Sequence, residues 1–144
     1  MRINFDMDGT IANLYATPNW LKMLQNEDTT PYAIAKPLIR MSALAKRLNN
    51  LQKKGIEIAI ISWLSKNGTE EYNKAVTETK LEWLRKHLPS VKWDCITIVA
   101  YGTPKQNFCH NENDILFDDE EPNRANWNGV AYGVENILGV LGEI

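Results

Sequence analysis

Arg2-Ile3-Asn4-Phe5-Asp6-Met7-Asp8-Gly9-Thr10 is the stretch whose reading decides the fold. A short extended run ends in two aspartates spaced i, i+2, and Gly-Thr follows. In extended structure a side chain two residues on returns to the same side. A turn at the strand end then lets both carboxylates face one point. Gly9 permits backbone angles that a β-carbon hinders, so the chain can fold back tightly after Asp8. Two carboxylates this close repel unless a cation lies between them or one holds a proton. The plainer reading is a polar turn that happens to contain two Asp, because Asp-Gly is a common turn pair.

Outward from this stretch, the remaining strand signals fall at about 56–62, 95–100, 114–118 and 129–133. Ile56-Glu57-Ile58-Ala59-Ile60-Ile61 and Ile96-Thr97-Ile98-Val99-Ala100 are nearly continuous apolar runs, the pattern of strands buried on both faces. Helix-period segments lie between them. Across 38–54, Leu38, Met41, Leu44, Ala45, Leu48 and Leu51 recur at three and four residues, with Pro37 near the start and Gly55 past the end. A second helix is predicted over about 70–88, opened by Thr69 with Glu70 and Glu71 and stopped by Pro89. Strands alternating with helices predict an α/β fold, a Rossmann-like parallel sheet of about five strands flanked by helices. Ligands of such sheets sit beyond the carboxyl ends of the strands, where Asp6 and Asp8 lie.

The 144 residues read as one domain, 1–144, with a small cap insert at about 11–36. That insert holds Pro18, Trp20, Pro31, Tyr32 and a polar middle, and is read as a short helix near 19–25 plus loop. An ordinary long connection is the competing reading. A net charge of −2 gives no basic field for a nucleic-acid backbone, although one phosphate is still easily gripped. No apolar run approaches the roughly 20 residues of a membrane span, and no signal-peptide core follows Met1. Cys95 and Cys109 form neither a disulfide framework nor a C-x-x-C. Cys95 is expected in the core and Cys109 as an inert helix residue, and a cytoplasmic protein is the expectation.

Three further strand ends carry chemistry. Ser62 closes the second, Ile60-Ile61-Ser62-Trp63, where its hydroxyl can donate to a phosphoryl oxygen or merely cap a turn. Tyr101-Gly102-Thr103-Pro104-Lys105-Gln106 follows the third and reads as a capping box, with Thr103 as N-cap and Pro104 at the first helical position. Lys105 then lies in a helix's first turn, where an anion is already favoured; a solvated lysine is the alternative. After the fourth comes Asp118-Asp119-Glu120-Glu121, suited to a hard cation held by oxygen ligands, or else a solvated acidic turn.

Asp6-x-Asp8-Gly9-Thr10, Ser62, Lys105 and Asp118-Asp119, in this order, resemble the four motifs of the haloacid dehalogenase (HAD) superfamily of phosphotransferases, nearly end to end. Phe5 through Ala12 looks most like the 5′-nucleotidase and deoxyribonucleotidase-like branch. Asn4 departs from the apolar inner strand of that pattern, and the insert is smaller than most family caps. The resemblance implies a Mg²⁺-dependent phosphomonoester hydrolase. Asp6 would be the nucleophile that forms an aspartyl-phosphate, and Asp8 the acid and base. Ser62 and Lys105 would hold the phosphoryl group. Asp6, Asp8 (through its backbone carbonyl), Asp118 and Asp119 would serve Mg²⁺. Tyr15, Trp20, Tyr32 and Trp63 are candidates for stacking on a nucleobase, each worth roughly 1–3 kcal/mol, or for plain packing. A nucleoside monophosphate, a sugar or other small-metabolite phosphate and a nucleic-acid 3′-phosphate end remain as substrates. A phosphate-binding regulatory module without turnover is the reading from outside enzymology.

Overall fold

The computed structural model describes residues 1–144. Its elements are β1 (Arg2–Phe5), β2 (Ala12–Asn13), α1 (Trp20–Gln25), α2 (Thr30–Ile34), β3 (Lys36–Pro37), α3 (Met41–Lys53) and β4 (Glu57–Trp63). These are followed by α4 (Glu70–His87), β5 (Cys95–Val99), β6 (Ile115–Phe117), α5 (Glu121–Asn126), β7 (Val130–Tyr132) and α6 (Ile137–Glu143). Five strands make one parallel sheet in the order β5-β4-β1-β6-β7, so the fold is the expected α/β, Rossmann-like one. β1 lies at the centre, with Phe5 paired to Ile60 on one side and Phe117 on the other. No helix is long and apolar enough to cross a membrane.

Alternation along the inner strands sorts their side chains into two layers. Ile3, Phe5, Ile58, Ile60, Ile115 and Phe117 meet Leu44, Leu48 and Leu51 of α3, Trp83 and Leu84 of α4, and Ile137 and Leu141 of α6 in the main core. Burying each large apolar side chain there contributes about 1.5–3 kcal/mol. On the other face Ile61 and Leu116 pack with Trp127. Asn4 belongs to that second face and is fully buried, yet its amide donates to the Ile115 carbonyl at 3.1 Å. A satisfied amide explains how a polar residue stands in a central strand.

Several expectations give way to tertiary context. β5 is not buried on both faces: it is a sheet edge, Ile96 is exposed, and Cys95 is half-buried rather than in the core. α3 starts at Met41 because Pro37 is taken up in β3, which pairs antiparallel with β2 (Ala12↔Pro37, Asn13↔Lys36). No capping box forms at Thr103. Its hydroxyl donates back to the Ala100 carbonyl at 2.7 Å, and Lys105–Phe108 is a single 3-10 turn. Half-buried Cys109 follows that turn instead of lying on a helix.

The short β2–β3 ladder closes the base of residues 14–34, which hold α1 and α2. Pro31 opens the second of these helices, in a stretch read from sequence as loop. The insert is fastened to the sheet's own helices by polar contacts. Glu27 accepts from the Thr69 backbone N–H at 2.9 Å and its hydroxyl at 3.0 Å, and the Tyr72 hydroxyl donates to the Asp28 carbonyl at 2.9 Å.

Candidate active site

β1 ends at Phe5, and the Asp6 backbone N–H still donates to the Phe117 carbonyl, so Asp6 leaves the sheet beside Asp118. The chain then turns on itself: the N–H groups of Thr10, Ile11 and Ala12 all donate to the Met7 carbonyl. Gly9 adopts φ +82°. A β-carbon there would run into the Asp119 carboxylate and come within 2.8 Å of the Tyr15 ring. The glycine therefore serves a close approach as well as a tight turn.

Around this turn Asp6 and Thr10 meet Lys105, Asp118 and Asp119 from far along the chain. Lys105 Nζ donates to Asp6 Oδ1 and to Asp118 Oδ2, each at 2.7 Å, and all three side chains are buried. The Thr10 hydroxyl lies 2.9 Å from Asp6 Oδ2 and 3.3 Å from Asp119 Oδ1, and accepts from the Asp119 backbone N–H at 3.1 Å. Asp118 also accepts from the Glu120 N–H and the Asn123 amide, while Arg124 binds its carbonyl. Burial and the neighbouring Asp6 push the Asp118 carboxyl upward, against the pull of Lys105. Asp119 is pushed up to about 7, first by burial and then by Asp6. These are carboxylates held near one another at an electrostatic cost.

Two side chains here escaped sequence reasoning. Thr10 stands inside the first motif but reads there only as a turn residue. Lys80, on α4, is fully buried and donates to Asp8 Oδ2 at 2.8 Å, Ser62 Oγ at 2.7 Å and the Trp63 carbonyl at 2.6 Å. Its signal is visible in the sequence: Tyr72, Val76, Lys80, Trp83 and Leu84 form the buried stripe of that helix, and a lysine in an apolar stripe needs a partner. Burial raises the Asp8 carboxyl from its ordinary range, with Lys80 opposing.

The donor set suits a hard divalent cation. Carboxylate oxygens of Asp6, Asp118 and Asp119 lie within 4.8 Å of one another. With every group ionised, the four aspartates outnumber the two buried lysines by two charges. A divalent ion bound through oxygen alone balances that excess, and each carboxylate oxygen in contact with Lys105 keeps a second lone pair.

A cavity of about 550 Å³ opens over this cluster. Asp6, Asp8, Lys105, Asp118 and Asp119 are at its polar end. Tyr15, Trp20 and Tyr32 of the insert, with Trp63 at the end of β4 and Tyr101 past β5, supply aromatic wall. Tyr15 meets Trp20 edge-on at 4.9 Å between centroids, and Trp63 lies 5.1 Å from Tyr101. The Trp63 indole N–H donates to the Thr103 carbonyl at 2.8 Å, which fixes that ring. Ser62 differs from the other candidates: it is fully buried beneath the wall and touches Lys80 instead of the cavity. Trp83, Trp93 and Trp127 are packed away from the site, the first and third with their N–H groups on the Ala35 and Asp114 carbonyls.

Compared with solved structures, the fold is similar to that of the D,D-heptose 1,7-bisphosphate phosphatase from Burkholderia thailandensis, with a TM-score of 0.54 over 89% of this chain and 74% of that one. The two sequences are 12% identical, so the likeness is one of fold. The sequence matches no protein-family model and no curated protein.

Proposed function

We propose that this protein is a Mg²⁺-dependent phosphomonoester hydrolase of the HAD kind that works through an aspartyl-phosphate on Asp6. One observation carries the reading: Asp6, Asp118 and Lys105, distant in sequence, meet within 2.7 Å contacts at the carboxyl edge of a parallel sheet. The order of motifs and the likeness to a phosphatase fold support it.

In this reading Asp6, Asp118 and Asp119 hold Mg²⁺, together with the Asp8 backbone carbonyl. When bound, the ion offsets repulsion between Asp6 and the incoming phosphate and stabilises charge on the transferring group. Asp6 attacks phosphorus as a nucleophile, held in place by Thr10 on one oxygen and Lys105 on the other. Lys105 spends two N–H groups on carboxylates, so a third is left for a phosphoryl oxygen. Ser62, fully buried and off the cavity wall, accepts from Lys80 and in this reading backs the site from behind, while Lys105 holds the phosphoryl group. Asp8, with its carboxyl raised, carries the proton for the leaving oxygen and later takes one from the water that opens the intermediate.

The aromatic wall of the cavity favours a flat leaving group, which supports a nucleoside monophosphate as substrate, with Trp63, Tyr15 and Trp20 as its contacts. A sugar phosphate is the second reading, supported by the name of the structural neighbour. Hydrolysis of p-nitrophenyl phosphate with and without Mg²⁺ tests the core of the proposal, and a panel of nucleotides and sugar phosphates separates the two substrate classes. Asp6→Asn is expected to abolish turnover. Full activity in that variant, or none in the wild type with Mg²⁺, overturns the assignment.

A further inference from the structure

Lys80 is the one buried cation of the site that the proposed chemistry does not consume. Its ammonium has three N–H groups, and all three are committed: to Asp8 Oδ2, Ser62 Oγ and the Trp63 carbonyl, at 2.6–2.8 Å. Unlike Lys105, it has none left for a phosphoryl oxygen, and it is absent from the cavity wall. Its Nζ also sits 5.1 Å from the centre of the Tyr32 ring, which crowds it from a further side. Asp8, by contrast, lines the cavity, its side chain is 17% exposed, and Oδ1 takes no hydrogen bond from the protein. One oxygen of Asp8 is therefore tied down from behind while the other stays open to the cavity.

We propose that Lys80 is the positioning residue for leaving-group protonation, anchoring Asp8 by Oδ2 so that Oδ1 delivers the proton, and tying Ser62 to the same anchor. The inference rests on the phosphatase reading above and deepens it. In the step concerned, an Asp6 oxygen forms its bond to phosphorus as the bond from phosphorus to the leaving oxygen breaks. That oxygen keeps the bonding pair and takes the proton from Asp8 Oδ1, which is left as a carboxylate. The ester's alcohol departs neutral. An anchor on the far oxygen keeps the acid within reach, and misplacement of about 1 Å costs on the order of 10²-fold in rate.

Such a residue acts only where the leaving group needs a proton. An alkoxide leaving group does; p-nitrophenolate, a stabilised anion, departs without one. The test compares kcat/KM for p-nitrophenyl phosphate with kcat/KM for an alkyl ester, either a nucleoside 5′-monophosphate or a sugar 6-phosphate, whichever the wild type cleaves faster. Lys80→Met is expected to lose at least about tenfold more on the alkyl ester than on the aryl one. A role confined to holding the fold together lowers both alike, and equal losses overturn the proposal.

Because Lys80→Met leaves half-buried Asp8 beside an apolar chain and strips Ser62 and the Trp63 carbonyl of their partner, the variant can fail to fold. The Asp8→Asn/Lys80→Met double variant removes both partners, which buried sites tolerate better than the loss of one. Acting through Asp8, Lys80 adds no further loss on the alkyl ester once Asp8 is Asn, so the double variant matches Asp8→Asn. A further tenfold drop in the double variant overturns the inference while leaving the phosphatase reading intact. A wild type that hydrolyses neither ester with Mg²⁺ removes both.

Discussion

At the scale of single residues, the site joins the turn after β1 to side chains far along the chain: Lys105 is 99 positions from Asp6, and Lys80 is 72 from Asp8. Gly9 shows how little room there is. Its φ of +82° and the Asp119 carboxylate standing where a Cβ would go both exclude a side chain. Gly9→Ala is expected to leave the sheet folded and to displace Asp119, lowering the proposed phosphatase activity by about 10-fold or more, since small misplacements in such sites are costly. Wild-type kcat/KM in that variant would show that Asp119 tolerates movement. Although Lys80 seats Ser62 beneath the cavity wall, the strand-end positions of the aspartate pairs, the serine and Lys105 were all legible in the sequence, because each follows an apolar run. Thr10 and Lys80 were not. A threonine inside a turn is common on surfaces and only its burial against Asp6 distinguishes it, while the one sequence sign of Lys80, its place in the apolar stripe of α4, gains its meaning from the buried partners it meets.

Elements were readable where their signals are local, and less so where neighbours decide. α4 begins where its cap places it, with the Thr69 hydroxyl accepting from the Tyr72 N–H at 3.1 Å. The capping-box pattern at Thr103 failed because the local carbonyl of Ala100 won the hydroxyl, and because two carboxylates draw Lys105 inward. α3 ends as its glycine predicts. Gly55 has φ +83°, and the next residue's N–H reaches back to the Leu51 carbonyl at 3.1 Å. Gly55→Ala meets no atom, so its cost is conformational alone, about 1–2 kcal/mol in a urea titration. An unchanged midpoint would show that the turn relaxes. At the end of α4, His87 lies against Trp83 with ring centroids 4.3 Å apart. Burial, then the charge of Lys86, lower its pKa from 6.5. The folded chain thus binds fewer protons at this site than the unfolded chain does just below that value. The stability it contributes is present above 6.5 and is lost as pH falls. Between about pH 7.5 and pH 5.5 the wild-type midpoint should fall further than that of His87→Gln. Parallel curves would remove His87 as the cause.

Across the whole molecule, the sheet order and the ladder at the base of the insert bring acidic groups together faster than lysines can balance them. Folding such a cluster without a counter-ion costs stability, so a ion that binds only the folded state returns it. At a hundred times its dissociation constant Mg²⁺ should stabilise by about 2.7 kcal/mol, and EDTA should lower Tm correspondingly. Asp118→Asn is expected to blunt that response. A Tm indifferent to Mg²⁺ and EDTA would argue against a divalent site. The α/β alternation was visible at this scale because strand and helix periods differ so clearly. The position of β5 at the edge was not, because an apolar strand reads alike in the middle of a sheet and at its border.

The central placement of β1 also has a consequence for biosynthesis. β1 leaves the ribosome before either of its partners, and acquires β4 as a neighbour only after residue 63 and β6 only after residue 117. Until then Asp6 has no Asp118 beside it, and one edge of the nascent strand stays unpaired. Long-range pairings of this kind slow folding. A ribosome-stalled chain ending before β6 should therefore expose β1 to proteolysis and lack the proposed phosphatase activity, however completely its earlier helices have formed.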